Sequence, residues 1–308
     1  MDQLKILCVG KEQSYYEKWD AAITFDQSSD DIDGIVYTIP NYEMVDASLV
    51  RVLLLKDAPV LILKMRAEDP AAVEAVATTL NLDSRLFVGD QYRLEPGALA
   101  VGEAVRSGMI GKIEHASWRA VIPMKARAQW MDNYAHMTLM DLCYHYFMTL
   151  YGYLGSFSGT VFAHSYAPSW MADEGYCSLL LRTNAGVTLN VDCSWGAATA
   201  APANFFGECA LEGALGRLWT DGRSATFTGR SASNTVHSAS YTGRDLQPTA
   251  LDCPAPRSTG WAASVDGFLQ YLRDGDQTRL ITFMQYMDVF RFQCAALESS
   301  IRGQMVEF

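Results

Sequence analysis

An aspartate and a histidine lie four residues apart in the segment TLMDLCYHYFMTLYGYLG, residues 138–155. This segment is typical of a helix, and on a helix Asp141 and His145 share one face. A histidine that is held by hydrogen bonds can take or give a proton near neutral pH, so the pair could serve acid/base chemistry. The same pair could instead be an ordinary structural contact on a helix.

Two basic residues follow predicted strands in the first third of the chain. Lys64 ends APVLILK (58–64), and Arg93 ends SRLFVGDQYR (84–93). The carboxyl ends of parallel strands meet at the edge of the sheet where ligands bind, which predicts both residues at that edge. A lysine there can be tuned by burial or can polarise an oxygen. Taken alone, Lys64 is also compatible with a surface lysine, and Arg93 could contact a substrate or act as a strut at a domain interface.

Aromatic and basic side chains are interleaved ahead of the helix at 138–155. The segment SWRAVIPMKARAQWMDNY, residues 117–134, contains Trp118, Arg119, Lys125, Arg127 and Trp130. Such side chains together could hold a polyol ring or an anionic group, which predicts substrate binding. The alternative is a solvated loop whose aromatic residues belong to the core.

The amino terminus begins like a dinucleotide-binding domain and then departs from one. The strand LKILCV runs to Gly10, but KEQSY follows where a G-x-G-x-x-G loop needs two more glycines. Glu12 would place a negative charge near a diphosphate, and two unit charges about 4 Å apart repel by about 4 kcal/mol at an effective dielectric of about 20. The sequence therefore predicts that the usual NAD(P) binding is lost.

The length of the next segment is a second departure. Only 22 residues separate Gly10 from Asp33, where the strand DGIVYTIP begins. One strand–helix–strand unit takes about 30 residues or more, so most of a strand and a helix should be absent. The alternative takes AITFD as a surviving second strand, reached over a very short helix, with Asp26 as the acid that binds the ribose of NAD(P).

Strands and helices alternate over the first third of the chain. Predicted strands at 4–9, 33–40, 58–64 and 84–93, with a helix at 69–80, indicate crossover units and a parallel sheet. After a helix at 96–107 strands dominate, except for the helix at 138–155 and two closing helices, WAASVDGFLQYLRDG and LITFMQYMDVFRFQCAALESSIRG. The predicted fold class is α/β plus α+β, with a truncated Rossmann-like domain over 1–110 and a mostly antiparallel-sheet domain over 111–308. The closing helices could pack back on the first domain.

Composition excludes several classes of partner. The net charge of -11 and the pI near 4.9 argue against nucleic acid, because such binding normally uses a basic surface. No apolar run reaches membrane-spanning length and no signal pattern is visible, so we expect a cytoplasmic protein with no membrane partner. The seven cysteines form no CxxC pair, which indicates reduced core thiols rather than disulfides or a metal site.

Four passages follow the order of motifs in one known family. RLEPGALAVGEAVRSGMIGKI is similar to an R-x-x-P, helix and G-x-I-G-x-I passage, and LMDLCYHYFMTLYGYLG to a D-x-x-x-H helix. LEGALGRLWTDG resembles a strand with E-G-x-x-G, and ALESSIRGQMVEF a closing helix with a G-x-x-V tail. Over roughly residues 31–308 the chain thus resembles the glucose-fructose oxidoreductase and inositol dehydrogenase (Gfo/Idh/MocA) family, as a degenerate member.

The resemblance implies roles for three residues. In the family, the lysine of an E-K-P motif works with the aspartate and histidine of the D-x-x-x-H helix. Lys64 matches that lysine, although Leu63 and Met65 replace the glutamate and the proline. His145 is implied as the acid/base at a substrate hydroxyl or carbonyl and Lys64 as its electrostatic and proton partner. Asp141 is implied as the orienting or substrate-binding carboxylate.

Three functions are compatible with these residues. The leading one is acid/base chemistry on a small hydroxylated or carbonyl metabolite, such as a sugar or cyclitol, by an isomerase, lyase or cyclase without nicotinamide. The first alternative is an NAD(P)-dependent oxidoreductase of a secondary alcohol or ketone, whose cofactor binds in a non-standard mode at Gly10 and Asp26. The second alternative is a non-catalytic binding or partner subunit. The resemblance also implies a homo-oligomer that pairs through the antiparallel sheet.

Overall fold

The computed structural model describes residues 4–10, 22–24, 31–38, 57–65, 71, 75, 85–123, 136–171, 174–197, 204–230, 247–255 and 258–308. These residues divide into two compact units. The first contains the described residues up to Leu94 and those from 258 to 290. The second contains the described residues from 95 to 255 and from 291 to 308.

Four α-helices lie in this described part of the chain, and all elements are numbered in chain order. The helices are α1 (Pro96–Arg106), α2 (Cys143–Leu154), α3 (Trp261–Asp274) and α4 (Phe283–Arg302). Proline opens α1, where its missing N–H has no intrahelical acceptor to lose. α3 stops at Gly275, which adopts a left-handed conformation that favours glycine.

The first unit is built on a six-stranded sheet. Its strands are β1 (Lys5–Gly10), β2 (Ala22–Thr24), β3 (Gly34–Thr38), β4 (Val60–Leu63), β5 (Leu86–Gly89) and β14 (Ile281–Thr282). Their order is β14-β5-β4-β3-β1-β2, in which β1 to β5 are parallel and β14 is antiparallel to β5. Every residue of β4 is buried, as expected of a strand inside a parallel sheet that is covered on both faces.

The residues AIT (Ala22–Thr24) form a second strand beside β1. β2 pairs with β1 on one side, and β3 pairs with β1 on the other, so the chain order reverses at β1. The interpretation of AITFD as a surviving second strand is therefore confirmed for Ala22–Thr24. In the usual Rossmann order a further strand lies outside the second one, and none of the described residues occupies that position.

Helix α3 covers one face of this sheet. Its Val265, Phe268 and Leu269 pack into a cluster of apolar side chains from β1, β3, β4 and β5. Phe87 of β5 meets Phe268 edge-on, with ring centroids 6.2 Å apart. The cluster forms the apolar core that holds the carboxyl edge of the sheet in place.

The second unit is built on a nine-stranded sheet. Its strands are β6 (Ile113–Ile122), β7 (Gly159–Tyr166), β8 (Tyr176–Thr183), β9 (Thr188–Trp195), β10 (Glu208–Gly213), β11 (Gly216–Thr220), β12 (Ala225–Gly229), β13 (Thr249–Ala250) and β15 (Val306–Glu307). The order is β13-β12-β11-β10-β6-β9-β8-β7-β15. Only β6 and β9 pair in parallel among these strands, so the sheet is mostly antiparallel.

The two faces of this sheet differ in burial. Along β7, β8 and β9 buried and exposed residues alternate, so one face carries the core and the other is open. On the core side, Phe292 of α4 packs against Phe147 of α2, with ring centroids 4.7 Å apart. The open face is defined here as the solvent-facing residues of β6 to β11.

The predicted fold class is confirmed, with one difference at the carboxyl terminus. The segment LITFMQYM was predicted to begin the last helix, whereas Ile281 and Thr282 form β14 and the helix begins at Phe283. The β-branched pair extends along the edge of β5, where sheet hydrogen bonds satisfy its backbone. The predicted helix at 69–80 falls outside the described residues, apart from positions 71 and 75, which are both helical.

Candidate active site

The predicted D-x-x-x-H helix begins with a π-helical turn. This turn, Thr138–Leu142, leads directly into α2. The N–H of Cys143 donates to the carbonyl oxygen of Thr138, five residues earlier instead of the usual four. Turns of this kind within helices are rare and frequently mark functional sites.

Asp141 and His145 are buried on this segment. Asp141 is 4% exposed and His145 is 3% exposed. The ring of Tyr144 lies edge-on to the imidazole, with centroids 5.0 Å apart. Burial of such polar groups is costly unless they are paired or hydrogen-bonded. The prediction that the pair shares one helical segment is confirmed, and the roles of the two residues stay predictions.

A carboxylate from the loop before β8 holds the start of the π-helical turn. Glu174 accepts a hydrogen bond from the N–H of Leu139 at 3.1 Å through Oε1, and its Oε2 lies 2.9 Å from Nδ1 of His136. His136 has a left-handed backbone with φ of 56°, which is uncommon for a residue other than glycine. The amino-terminal approach to Asp141 is thus fixed by a nearly buried acid.

A glutamine from α4 holds the other side of the turn. Nε2 of Gln293 donates to the carbonyl oxygens of Leu139 at 2.8 Å and of Met140 at 3.0 Å. Gln293 is 1% exposed, so this amide is committed to the turn. Neither Gln293 nor Glu174 was predicted from the sequence, because no spacing rule connects them to the helix.

Three buried thiols lie beneath the first turn of α2. Cys143 contacts both Cys177 and Cys193, which sit opposite each other on β8 and β9. Burial raises the pKa of Cys143 well above its ordinary value and also raises that of Cys193. The hydrogen bond with Cys143, together with burial, raises the pKa of Cys177. The thiols therefore stay protonated and behave as small apolar side chains.

Lys64 ends β4 in the first unit. It is 8% exposed and has a left-handed backbone with φ of 56°. Its N–H donates to the carbonyl oxygen of Gly89 at 3.4 Å, so the chain turns at the carboxyl edge of the sheet. A strained backbone at a buried lysine is typical of functional sites. Met65, which replaces the proline of the E-K-P motif, is fully buried.

Arg93 is bound to backbone carbonyls of its own unit. Nη1 donates to the carbonyl of Leu280 at 3.2 Å, and Nη2 donates to that of Thr278 at 3.2 Å. Its backbone N–H donates to Oδ2 of Asp90 at 2.9 Å. These bonds join the loop after β5 to the segment before β14 within the first unit, and the role of Arg93 stays a prediction.

Trp118 lies in the core of the second unit. It is 1% exposed, and its indole N–H donates to the carbonyl of Phe206 at 2.7 Å. The single polar atom of the indole is thereby used within the core, which favours the interpretation of Trp118 as a packing residue. Arg119, the next residue of β6, is exposed, and Lys125, Arg127 and Trp130 lie outside the described residues.

The second unit also matches a known protein family. The family model for the GFO/IDH/MocA C-terminal domain matches residues 98–218. These residues belong to the Gfo/Idh/MocA family. The match includes the helix of Asp141 and His145, and it confirms the resemblance inferred from the motifs. No curated protein sequence matches the chain significantly.

Solved structures share the fold of this chain. A myo-inositol dehydrogenase from Corynebacterium glutamicum is 17% identical with a TM-score of 0.72, over 99% of both chains. An oxidoreductase from Agrobacterium radiobacter in complex with NAD+, L-tartaric acid and magnesium is 17% identical with a TM-score of 0.69, over 90% of this chain and 80% of that one. An aldose-aldose oxidoreductase from Caulobacter crescentus, complexed with glycerol, is 14% identical with a TM-score of 0.68, over 90% and 79%. Identities this low establish the fold and leave the substrate open.

β1 ends in a glycine at the carboxyl edge of the six-stranded sheet. Gly10 ends β1 at the point where the strand order reverses, which is where a dinucleotide binds in such sheets. Asp26 and the loop that contains Glu12 lie outside the described residues. The strand order is the one in which such sheets bind a nucleotide, whereas the loop sequence GKEQSY has one of the three glycines of the G-x-G-x-x-G pattern. None of the helices in the described ranges is long and apolar enough to span a membrane.

Proposed function

We propose that this protein is an enzyme that performs acid/base chemistry on a small hydroxylated or carbonyl-bearing metabolite, such as a sugar or cyclitol, without nicotinamide. The observation that carries the proposal is the deep burial of Asp141 and His145 on consecutive turns of a helix that contains a π-helical turn. Packing alone requires neither side chain, because an apolar pair would fill the same space at lower desolvation cost. A proton-transfer pair accounts for both residues.

Each proposed residue has a distinct role. The imidazole of His145 takes a proton from a substrate hydroxyl, or from the carbon next to a carbonyl, and returns it at the neighbouring atom. The carboxylate of Asp141 orients the imidazole or binds the substrate. Lys64 supplies a positive charge that favours an oxyanion, and its buried position strengthens such a charge. Isomerisation returns the proton at the neighbouring atom, elimination delivers it to the hydroxyl that leaves as water, and ring closure moves it from the attacking hydroxyl to the carbonyl oxygen, so none of the three needs a hydride carrier.

The amino-terminal loop supports a reaction without nicotinamide. It keeps Gly10 but has Glu12 where a glycine would let the backbone approach the pyrophosphate. The NAD(P)-dependent oxidoreductase is kept as a second candidate because β2 survives beside β1, and Asp26 follows this strand closely. An oxidoreductase from Agrobacterium radiobacter with the same fold was solved with NAD+, which favours testing this candidate directly.

The two candidates are separated by hydrogen exchange and by cofactor titration. Purified protein is incubated in D2O with a panel of inososes, ketohexoses and aldonic acids, and deuterium incorporation at carbon is followed by NMR. In parallel, NADH and NADPH are titrated and their fluorescence is recorded. We expect exchange without added nicotinamide, no saturable binding of either cofactor, and a loss of about 100-fold or more in the exchange rate for His145→Gln.

Other results would select another function. Micromolar binding of NADH, with oxidation of a polyol that requires NAD+, would favour the oxidoreductase. If neither exchange nor oxidation is seen with any compound of the panel, the result would favour a non-catalytic binding or partner subunit. Exchange that is unchanged in His145→Gln would remove this residue from the proposed mechanism.

We also propose that the protein forms a homo-oligomer through the open face of the nine-stranded sheet. Phe162 and Leu180 are directly opposite each other on β7 and β8, and they are 42% and 48% exposed. Arg119 lies between Asp192 and Glu208 on the neighbouring strands of the same face. Apolar residues beside charges of both signs suit the same surface of a second copy.

A further inference from the structure

We propose that Gln293 and Glu174 are positioning residues, which hold the π-helical turn and thereby set the direction of Asp141 relative to His145. This inference rests on the proposed function, since it concerns the same pair. Both residues act from elements distant in sequence: Gln293 lies in α4, and Glu174 lies in the loop before β8. Both contact the turn through hydrogen bonds to its backbone.

Gln293 replaces a hydrogen bond that the π-helical turn gives up. In an α-helix the carbonyl of Leu139 would accept the N–H of Cys143, four residues later. Here the N–H of Cys143 donates to the carbonyl oxygen of Thr138, so the carbonyl oxygen of Leu139 does not receive it. The side-chain amide of Gln293 donates to Leu139 at 2.8 Å and to Met140 at 3.0 Å, one hydrogen to each oxygen. An inserted side chain is a recognised cause of a distorted helix.

Glu174 fixes the amino-terminal end of the same turn. The first N–H groups of a helix lack intrahelical acceptors. Glu174 accepts the hydrogen bond from one of them, the N–H of Leu139. Its negative charge also suits the positive end of the helix dipole. The second oxygen is taken by His136, so both carboxylate oxygens are bound to the segment that leads into Asp141. Gln293 and Glu174 thus bind the carbonyl and the N–H of the same residue, Leu139.

The consequence for the active site is geometric. Closing the π-helical turn into a regular α-helix would remove one residue from the turn, and one residue corresponds to about 100° of rotation about the helix axis. Residues on the amino-terminal side would then point in a new direction relative to His145, which is anchored in α2. A misplacement of about 1 Å in an active site can cost about 100-fold in rate. We therefore assign Gln293 and Glu174, named together the polar clamp, the role of aligning Asp141.

The test uses isosteric changes and a readout of the imidazole itself. Protein labelled with 15N-histidine is prepared as wild type, Gln293→Glu, Gln293→Met and Glu174→Gln, with Glu103→Gln as the matched control. Glu103 is exposed on α1, where it pairs with Arg106, and it has no contact with the turn. The Nδ1 and Nε2 resonances of His145 are assigned by their loss in His145→Gln. Circular dichroism and thermal unfolding show whether each variant is folded.

We expect the His145 nitrogen shifts to change in the Gln293 and Glu174 variants and to be unchanged in Glu103→Gln. In the exchange assay with an inosose as probe, kcat should fall by about 10- to 100-fold with little change in KM. Folded Gln293→Met and Glu174→Gln proteins with wild-type His145 shifts would overturn the proposal. If neither the wild type nor any variant catalyses exchange, the proposed function fails. The nitrogen shifts of His145 still decide whether the polar clamp positions the helix.

Discussion

Trp118 stacks on Tyr146 with ring centroids 4.8 Å apart and an interplanar angle of 21°. The stack fixes α2 to β6, and the hydroxyl of Tyr146 donates to the carbonyl of Phe205 at 2.7 Å. We expect Trp118→Ala to lower the free energy of unfolding by about 3–5 kcal/mol, because it opens a large cavity in the core. Chemical denaturation measures the change. Trp170→Ala, at a tryptophan that is 67% exposed, should cost far less, and equal losses would contradict the assignment of Trp118 to the core.

The left-handed backbone of Lys64 predicts an unusual order of stability. Substitution by glycine is normally more destabilising than substitution by alanine, because glycine loses more chain entropy on folding. At a φ of 56° the side chain of alanine is strained, so Lys64→Gly should be more stable than Lys64→Ala by about 1 kcal/mol. Thermal unfolding of the two variants checks the order. Both should lack the exchange activity, and a Lys64→Ala protein with greater stability would show that the strain is absent.

A glycine in α1 makes a close approach that a side chain would block. A Cβ on Gly97 would lie 2.4 Å from Oγ1 of Thr220 and 2.5 Å from the carbonyl oxygen of Ser224. We expect Gly97→Ala to destabilise the protein by about 1–3 kcal/mol, through displacement of the β11–β12 turn. Gly102, in the same helix, has no atom closer than 3.4 Å to such a Cβ. Gly102→Ala should therefore be neutral or stabilising by up to about 1 kcal/mol in the same denaturant titration.

Thiol labelling should separate the cysteines by burial. Cys8, Cys143, Cys177, Cys193 and Cys209 are buried, whereas Cys253 and Cys294 are partly exposed. Burial raises the pKa of Cys294 to about 11, so its labelling rate should increase as the pH rises toward that value. Mass spectrometry after brief alkylation of the native protein at pH 8 should find modification at no site other than Cys253 and Cys294. Rapid labelling of Cys143 would show that the thiols beneath α2 are accessible.

The open sheet face predicts how the oligomer can be dissociated. Leu180→Lys places a charge in the centre of the apolar pair that it forms with Phe162. We expect this variant to shift toward the monomer in light scattering coupled to size exclusion, because burial of an unpaired charge is costly. Leu215→Lys is the matched control, since Leu215 is 56% exposed in the turn between β10 and β11. A change in mass for the control alone would place the interface elsewhere.

The sequence predicts elements whose cause is local. The spacing of Asp141 and His145 indicates a helix because the helical period brings residues four apart onto one face, and LILK indicates a buried strand because its apolar run is continuous. The π-helical turn could not be predicted, since Gln293, which donates hydrogen bonds to its carbonyls, is 154 residues from Leu139 in sequence. The sequence left Trp118 open between a substrate contact and a core residue. Neighbouring strand residues face opposite sides, and only the tertiary packing decides that Trp118 faces inward while Arg119 is exposed.

The π-helical turn couples two distant parts of the sequence. In a regular helix without the extra residue between Thr138 and Leu142, the amide of Gln293 would face carbonyls that already have their donors. Conversely, an apolar side chain at position 293 would leave the carbonyl oxygens of Leu139 and Met140 without the amide that now bonds to them. Helix length at one place in the chain and side-chain polarity more than a hundred residues later are therefore physically interdependent, so that a change at either place alters the hydrogen bonds available at the other.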